Sequence, residues 1–77
     1  MTGYRIVHYD AGTHQPIYSC INYETCECTE CHPRDLSTVF SILDALNGID
    51  GARRLDHVTV YIPGSSIDHI YTIEVAE

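Results

Sequence analysis

Lysine is absent from this chain, and its four arginines face eleven aspartates and glutamates, for a formal net charge of −7 over 77 residues. Nucleic acid is thereby excluded as an expected direct ligand, because Lys and Arg contacts to phosphate supply most of the affinity of nucleic-acid binders. Only Arg53-Arg54 forms even a basic pair. Long apolar runs are also missing. Nothing approaches the ~18 residues needed to cross a bilayer, and Met1-Thr2-Gly3-Tyr4-Arg5 does not open a basic segment followed by an apolar one. The expectation is a soluble, cytoplasmic protein with no membrane partner, in the host cytoplasm if virus-encoded.

Catalytic signatures are lacking as well: there is no G-x-S-x-G, no phosphate-cradling glycine loop and no H-E-x-x-H. The five histidines, His8, His14, His32, His57 and His69, are dispersed, and a lone strand histidine is more often a surface or satisfied core residue than a base. Cys31 and His32 are adjacent, but successive side chains diverge, so they make no nucleophile–base pair. A substrate pocket of a few hundred Å3 is hard to carve from so small a domain. The reading is non-enzymatic.

Repeats, linkers and low-complexity segments are absent too, which leaves one domain over residues 1–77. A chain of this size buries only about 60 to 65% of the surface it exposes when unfolded. Support from a metal, disulfides or self-association is therefore expected.

What is present in concentration is cysteine. All four thiols fall between Cys20 and Cys31, three of them in the C-x-C-x2-C run Cys26, Cys28 and Cys31, with His32 directly after. That crowding is foreign to ordinary core packing, whereas a soft-ligand metal such as zinc draws thiolates into one tetrahedral shell. The expected structural zinc site is Cys20, Cys26, Cys28 and Cys31, with His32 or His14 as the alternative fourth ligand. Cys20 is preferred because the end of a strand holds a ligand rigidly, while His32 would strain to share the metal of Cys31. The spacing departs from zinc ribbons, which need a second, distant ligand pair, and from C-x4-C-x2-C iron–sulfur loops. Disulfides and reduced thiols remain open as alternatives, oxidation being the less expected of the two in a reducing cytosol.

Residues 4–9 (YRIVHY) and 16–24 read as strands around turn chemistry at Asp10-Ala11-Gly12-Thr13 and form a predicted hairpin. A Cys-rich loop over 25–33 follows. The helix is predicted over about 35–47, with Leu36, Val39, Phe40, Leu43 and Leu46 at helical spacing and Asn47-Gly48 as its stop. Residues 55–62 (LDHVTVYI) and 69–75 (HIYTIEV) read as two further strands. The predicted fold is α+β: a two-layer ββαββ domain whose four-stranded antiparallel sheet is covered on one face by the helix, with the Cys-rich loop between strand two and the helix.

Strand alternation then assigns Ile17, Ile21, Val58, Val60, Ile62, Ile73 and Val75 to the face under the helix. Tyr18, Cys20, Asn22, Thr59, Tyr61, Ile70 and Thr72 take the other face, which one helix cannot also cover. That face is either open or an interface, and a homodimer through it is one expectation. Tyr18 and Tyr61 are its candidate partner-binding anchors, since tyrosine joins a large apolar body to a polar tip. Glu24, Glu27 and Glu30 make the cysteine loop strongly negative, more so if it holds a thiolate-bound zinc, and suit it to a cationic partner. The functional expectation is a small acidic inhibitor or binding protein that occupies a basic surface of a larger protein. By analogy of size and charge alone, phage and mobile-element DNA mimics and anti-defence or anti-CRISPR inhibitors of nucleic-acid-handling machinery act in this way. The alternatives are a zinc-stabilised adaptor or regulator subunit, and a metal-handling or redox protein that uses the cysteine loop directly.

Overall fold

The computed structural model describes residues 3–17 and 33–76. Its elements in chain order are β1 (Gly3–Asp10), α1 (Leu36–Asn47), β2 (Arg53–Asp56), β3 (Thr59–Ile62) and β4 (His69–Ala76). The strands form one four-stranded antiparallel sheet in the order β1-β4-β3-β2, with the helix packed on one face. The small α+β architecture is thus as expected.

The element order among the described residues is βαβββ, and two differences from the expected ββαββ account for it. The predicted strand over 55–62 is a hairpin. Asp56 accepts the Val58 N–H on its carboxylate at 2.8 Å, so the chain reverses at His57-Val58 instead of running on. Val58, half-buried, closes that turn and continues the β3–β4 register opposite Ile73, whose N–H donates to its carbonyl at 2.9 Å. The second difference concerns the predicted strand over 16–24. Only its first two residues are described: Pro16 bridges Tyr9, and the Ile17 N–H donates to the His8 carbonyl at 2.8 Å. The remainder lies outside the described residues, as does the Cys-rich loop up to His32.

Both ends of that segment are fixed on the outer edge of β1. On the near side Asp10 builds the reversal, accepting the Gly12 N–H at 2.8 Å and the Thr13 N–H at 3.2 Å, and His14 takes a left-handed φ of 59°. On the far side Arg34 and Tyr4 exchange backbone hydrogen bonds of 2.8 and 2.9 Å. Gly3 permits this return, since a Cβ there would lie 2.5 Å from the Pro33 Cβ. The chain thus leaves β1 beside His8 and rejoins it beside Tyr4, about 13 Å away at roughly 3.3 Å per strand residue.

Asp35 stands at the helix N-cap, but its carboxylate takes the hydroxyls of Thr38 and Ser37 rather than a backbone N–H. Those two hydroxyls, Thr38 foremost, hold the carboxyl below its ordinary pKa. Val39 and Leu43 carry the buried stripe of α1 and pack with Ile6, Val60 and Ile62, flanked by Tyr4, Ile42, Leu46, Ala52, Tyr71 and Ile73. Leu36, at the start of the predicted stripe, is 41% exposed, and Val75, expected under the helix, is 58% exposed because it sits at the sheet's end opposite Tyr4. At the other end of the helix the Gly48 N–H closes on the Ala45 carbonyl, and Gly51, at φ 84°, turns the chain into β2.

Candidate binding face and a histidine pair

Strand pairing aligns Tyr9 with Ile70, Ile70 with Tyr61, and Tyr61 with Arg53. Directly paired residues share a face of an antiparallel sheet, so these four side chains form one row across all four strands. The row lies opposite the helix, because the intervening positions Ile6, Ile73, Val60 and Ile62 are the ones that pack with α1. A second row runs Val7, Thr72, Thr59, with the two threonine hydroxyls 3.1 Å apart. Among the described residues no helix or strand packs on this face.

Each tyrosine of the first row is joined to a carboxylate. The Tyr9 hydroxyl donates to Glu74 Oε2 at 2.6 Å. The Tyr61 hydroxyl bonds Asp68, which raises the phenol above its ordinary pKa and, together with the Gly64 N–H, lowers that of the carboxyl. The guanidinium of Arg53 lies 4.9 Å from the centroid of the Tyr61 ring, within the range of a cation–π contact. Arg5, opposite Glu74 in the β1–β4 register, brings a second guanidinium to the same side. The face thus offers aromatic rings with adjoining carboxylates, and the chain's own arginine already occupies one of them.

Tyr61 is accordingly where the sequence put it, half-buried on the face away from the helix. Tyr18, Glu24, Glu27 and Glu30 lie outside the described residues, as do the zinc-ligand candidates Cys20, Cys26, Cys28, Cys31 and His32. The alternative ligand His14 is exposed on the turn after β1. Among the described residues no group of three or more His, Cys, Asp or Glu side chains is placed to hold a metal ion.

Sequence reading missed one association. His8 and His69, 61 positions apart, meet on the helix-side face with His8 Nε2 2.7 Å from His69 Nδ1. Tyr71, paired with His8 across the β1–β4 ladder, stacks on its ring at 4.3 Å between centroids and 11° between planes. The only signal in the sequence was that both histidines share alternation with core residues of their strands: His8 with Ile6, His69 with Tyr71 and Ile73. Register, which decides whether they meet, is not readable from either strand alone.

No protein-family model, curated protein or solved structure matches the chain.

Proposed function

We propose that this protein is a small non-enzymatic binding protein that covers a basic surface of a larger protein partner with the sheet face opposite its helix. The observation that carries the reading is the row Tyr9, Ile70, Tyr61 and Arg53, with Glu74 and Asp68 bonded to its two tyrosines. An apolar, aromatic centre with carboxylates beside it suits an incoming arginine or lysine, which gains a ring face and an anion together. Arg53 over Tyr61 is an internal example of that contact. The net charge of −7 adds long-range attraction to a basic surface. Inhibition of nucleic-acid-handling machinery is the form of this activity favoured by the analogy of size and charge.

The cysteine segment enters the proposal as a zinc-stabilised loop held by Cys20, Cys26, Cys28 and Cys31, with Glu24, Glu27 and Glu30 extending the acidic surface. What supports it is the anchoring of both flanks on one edge of β1, since fixed loop ends reduce the entropy lost when the ligands gather. The test of the whole reading is affinity capture on the immobilised chain, followed by binding measurements with the purified partner over a range of salt. A basic partner whose affinity falls with salt and with loss of Tyr9 and Tyr61 is the expected result. Self-association through the same face, seen by sedimentation, would replace the partner with a second copy.

A further inference from the structure

The pair of imidazoles on the helix-side face has no part in the binding proposal, and its geometry is that of a chelate closed on a proton. His8 Nε2 and His69 Nδ1 point at each other across 2.7 Å. Both rings are restrained from behind. His8 lies flat on Tyr71, and His69 stands against the turn before β4, where a Cβ on Gly64 would come within 2.8 Å of its Nε2. Their backbones belong to neighbouring strands held by a ladder that runs from Gly3↔Ala76 to Asp10↔His69. Two ring nitrogens are therefore delivered to one point by a rigid scaffold, before any ligand is bound.

We propose that His8 and His69 form a two-histidine site for a divalent transition-metal cation of the imidazole-preferring class, zinc among them. Metal–nitrogen bonds of about 2.0 to 2.1 Å at a tetrahedral angle place the two nitrogens about 3.3 Å apart. The rings need to open by only about 0.6 Å from their 2.7 Å contact. In the bound state His8 carries its proton on Nδ1 and His69 on Nε2, so each neutral ring turns a lone pair to the metal. No third His, Cys, Asp or Glu completes the shell among the described residues. Asp10, opposite His69 in register, already accepts the Gly12 and Thr13 N–H groups. The described residues thus supply two ligands, and the other positions of the shell fall to water or to donors beyond the described residues.

The test is a titration of the full chain with zinc beyond whatever it carries as purified, followed by long-range 15N–1H spectra of the imidazoles, a readout the thiols do not enter. His8 Nε2 and His69 Nδ1 should move together to metal-bound positions, while the exposed His14 and His57 stay behind. In competition with a chromophoric chelator, His8→Gln and His69→Gln should each weaken this added zinc site at least 10-fold with backbone amide spectra unchanged. If either variant loses its fold, the ring-nitrogen shifts of the parent chain decide alone. Unmoved nitrogens at millimolar zinc, a response from only one of the two rings, or an equal response from all histidines would overturn the proposal and leave a hydrogen bond between imidazoles.

Discussion

Arg54 reaches from β2 to Asp44 on the helix, its Nη1 2.7 Å from Oδ1. The same guanidinium donates from Nε to the Asp56 carbonyl at 3.0 Å and from Nη2 to the His57 carbonyl at 2.7 Å. One side chain therefore ties the β2–β3 turn to α1. The two ends of the ion pair are unequal: 68% of the Asp44 side chain is exposed, against 28% of that of Arg54. Asp44→Ala should cost no more than about 1 kcal/mol, as exposed pairs do. Arg54→Ala should cost about 1 to 2 kcal/mol, because two turn carbonyls lose a charged donor as well. Urea denaturation of the two variants checks this, and equal losses would mean that the carbonyl bonds contribute nothing.

The core makes a sharper distinction along one helix. Leu43 is fully buried and Leu36 is 41% exposed, though both belong to the apolar stripe read from the sequence. Leu43→Ala should destabilise by about 2 to 5 kcal/mol, enough to unfold much of a domain this small. Leu36→Ala should stay below about 1 kcal/mol, since little surface is lost from the interior. Thermal unfolding by circular dichroism separates the two.

How much of this was legible in the sequence depended on whether the deciding interaction was local. The helix was readable because its periodicity, Asp35 before it and Gly48 after it all lie within one short window. The inner face of the sheet was readable at Val60, Ile62 and Ile73, where period-two alternation holds. Continuity of the strand over 55–62 failed because a single side-chain bond from Asp56 to the Val58 N–H converts it into a hairpin, and apolar content does not register that bond. Ile6, 3% exposed, belongs to the core but was not singled out, since its burial depends on β1 pairing with β4 at the far end of the chain. A sheet face without a helix on it, among the described residues, was foreseen as a consequence of having one helix for one sheet. Thr59, Tyr61, Ile70 and Thr72 were assigned to it by alternation, whereas Tyr9, Glu74 and Asp68 were not, because they join Tyr61 there only through a register between distant strands.

Asp68 and Tyr61 give a pH prediction with a definite sign. The bond lowers the Asp68 pKa in the folded state, so its contribution is complete above the ordinary value of 3.8 and is lost as pH falls through the lower folded value. The raised Tyr61 phenol works at the other extreme: its contribution is complete below 10.0 and is lost as pH rises through the higher folded value. Tyr61→Phe should move Asp68 back up toward the ordinary range, leaving the Gly64 N–H bond and the neighbouring His69 to hold it down. Carboxyl 13C titration of Asp68 in the parent and variant tests this; identical midpoints would show that the hydroxyl does not bond the carboxylate in solution.

Zinc is tested by composition and stability together. The purified, reduced chain should carry about one zinc bound through thiolates, and Cys26→Ser, Cys28→Ser or Cys31→Ser should lower both metal content and melting temperature, because ligand loss removes binding energy coupled to folding. Four thiols that alkylate readily, with a melting temperature unchanged by chelator, would remove the metal from the loop. An intact mass short by two hydrogens per bridge would put disulfides in its place.

The binding face predicts a division of labour that rate measurements resolve. Charge attraction acts over the ~8 to 10 Å screening length of physiological salt, so it speeds encounter, whereas aromatic anchors act only in contact and slow departure. Replacing Glu24, Glu27 and Glu30 together by glutamine should mainly lower the association rate and flatten its salt dependence. Tyr9→Ala and Tyr61→Ala should mainly raise the dissociation rate, and Tyr61→Ala should act in part by releasing Arg53 from the ring it now covers. Tyr61→Phe keeps the ring and loses the hydroxyl bonded to Asp68. If the ring receives a partner's cation, the phenylalanine variant should retain most of the parent's residence time while the alanine variant loses it. Equal loss in both would place the recognition in the hydroxyl–carboxylate pair, and no loss in either would move the interface off this face.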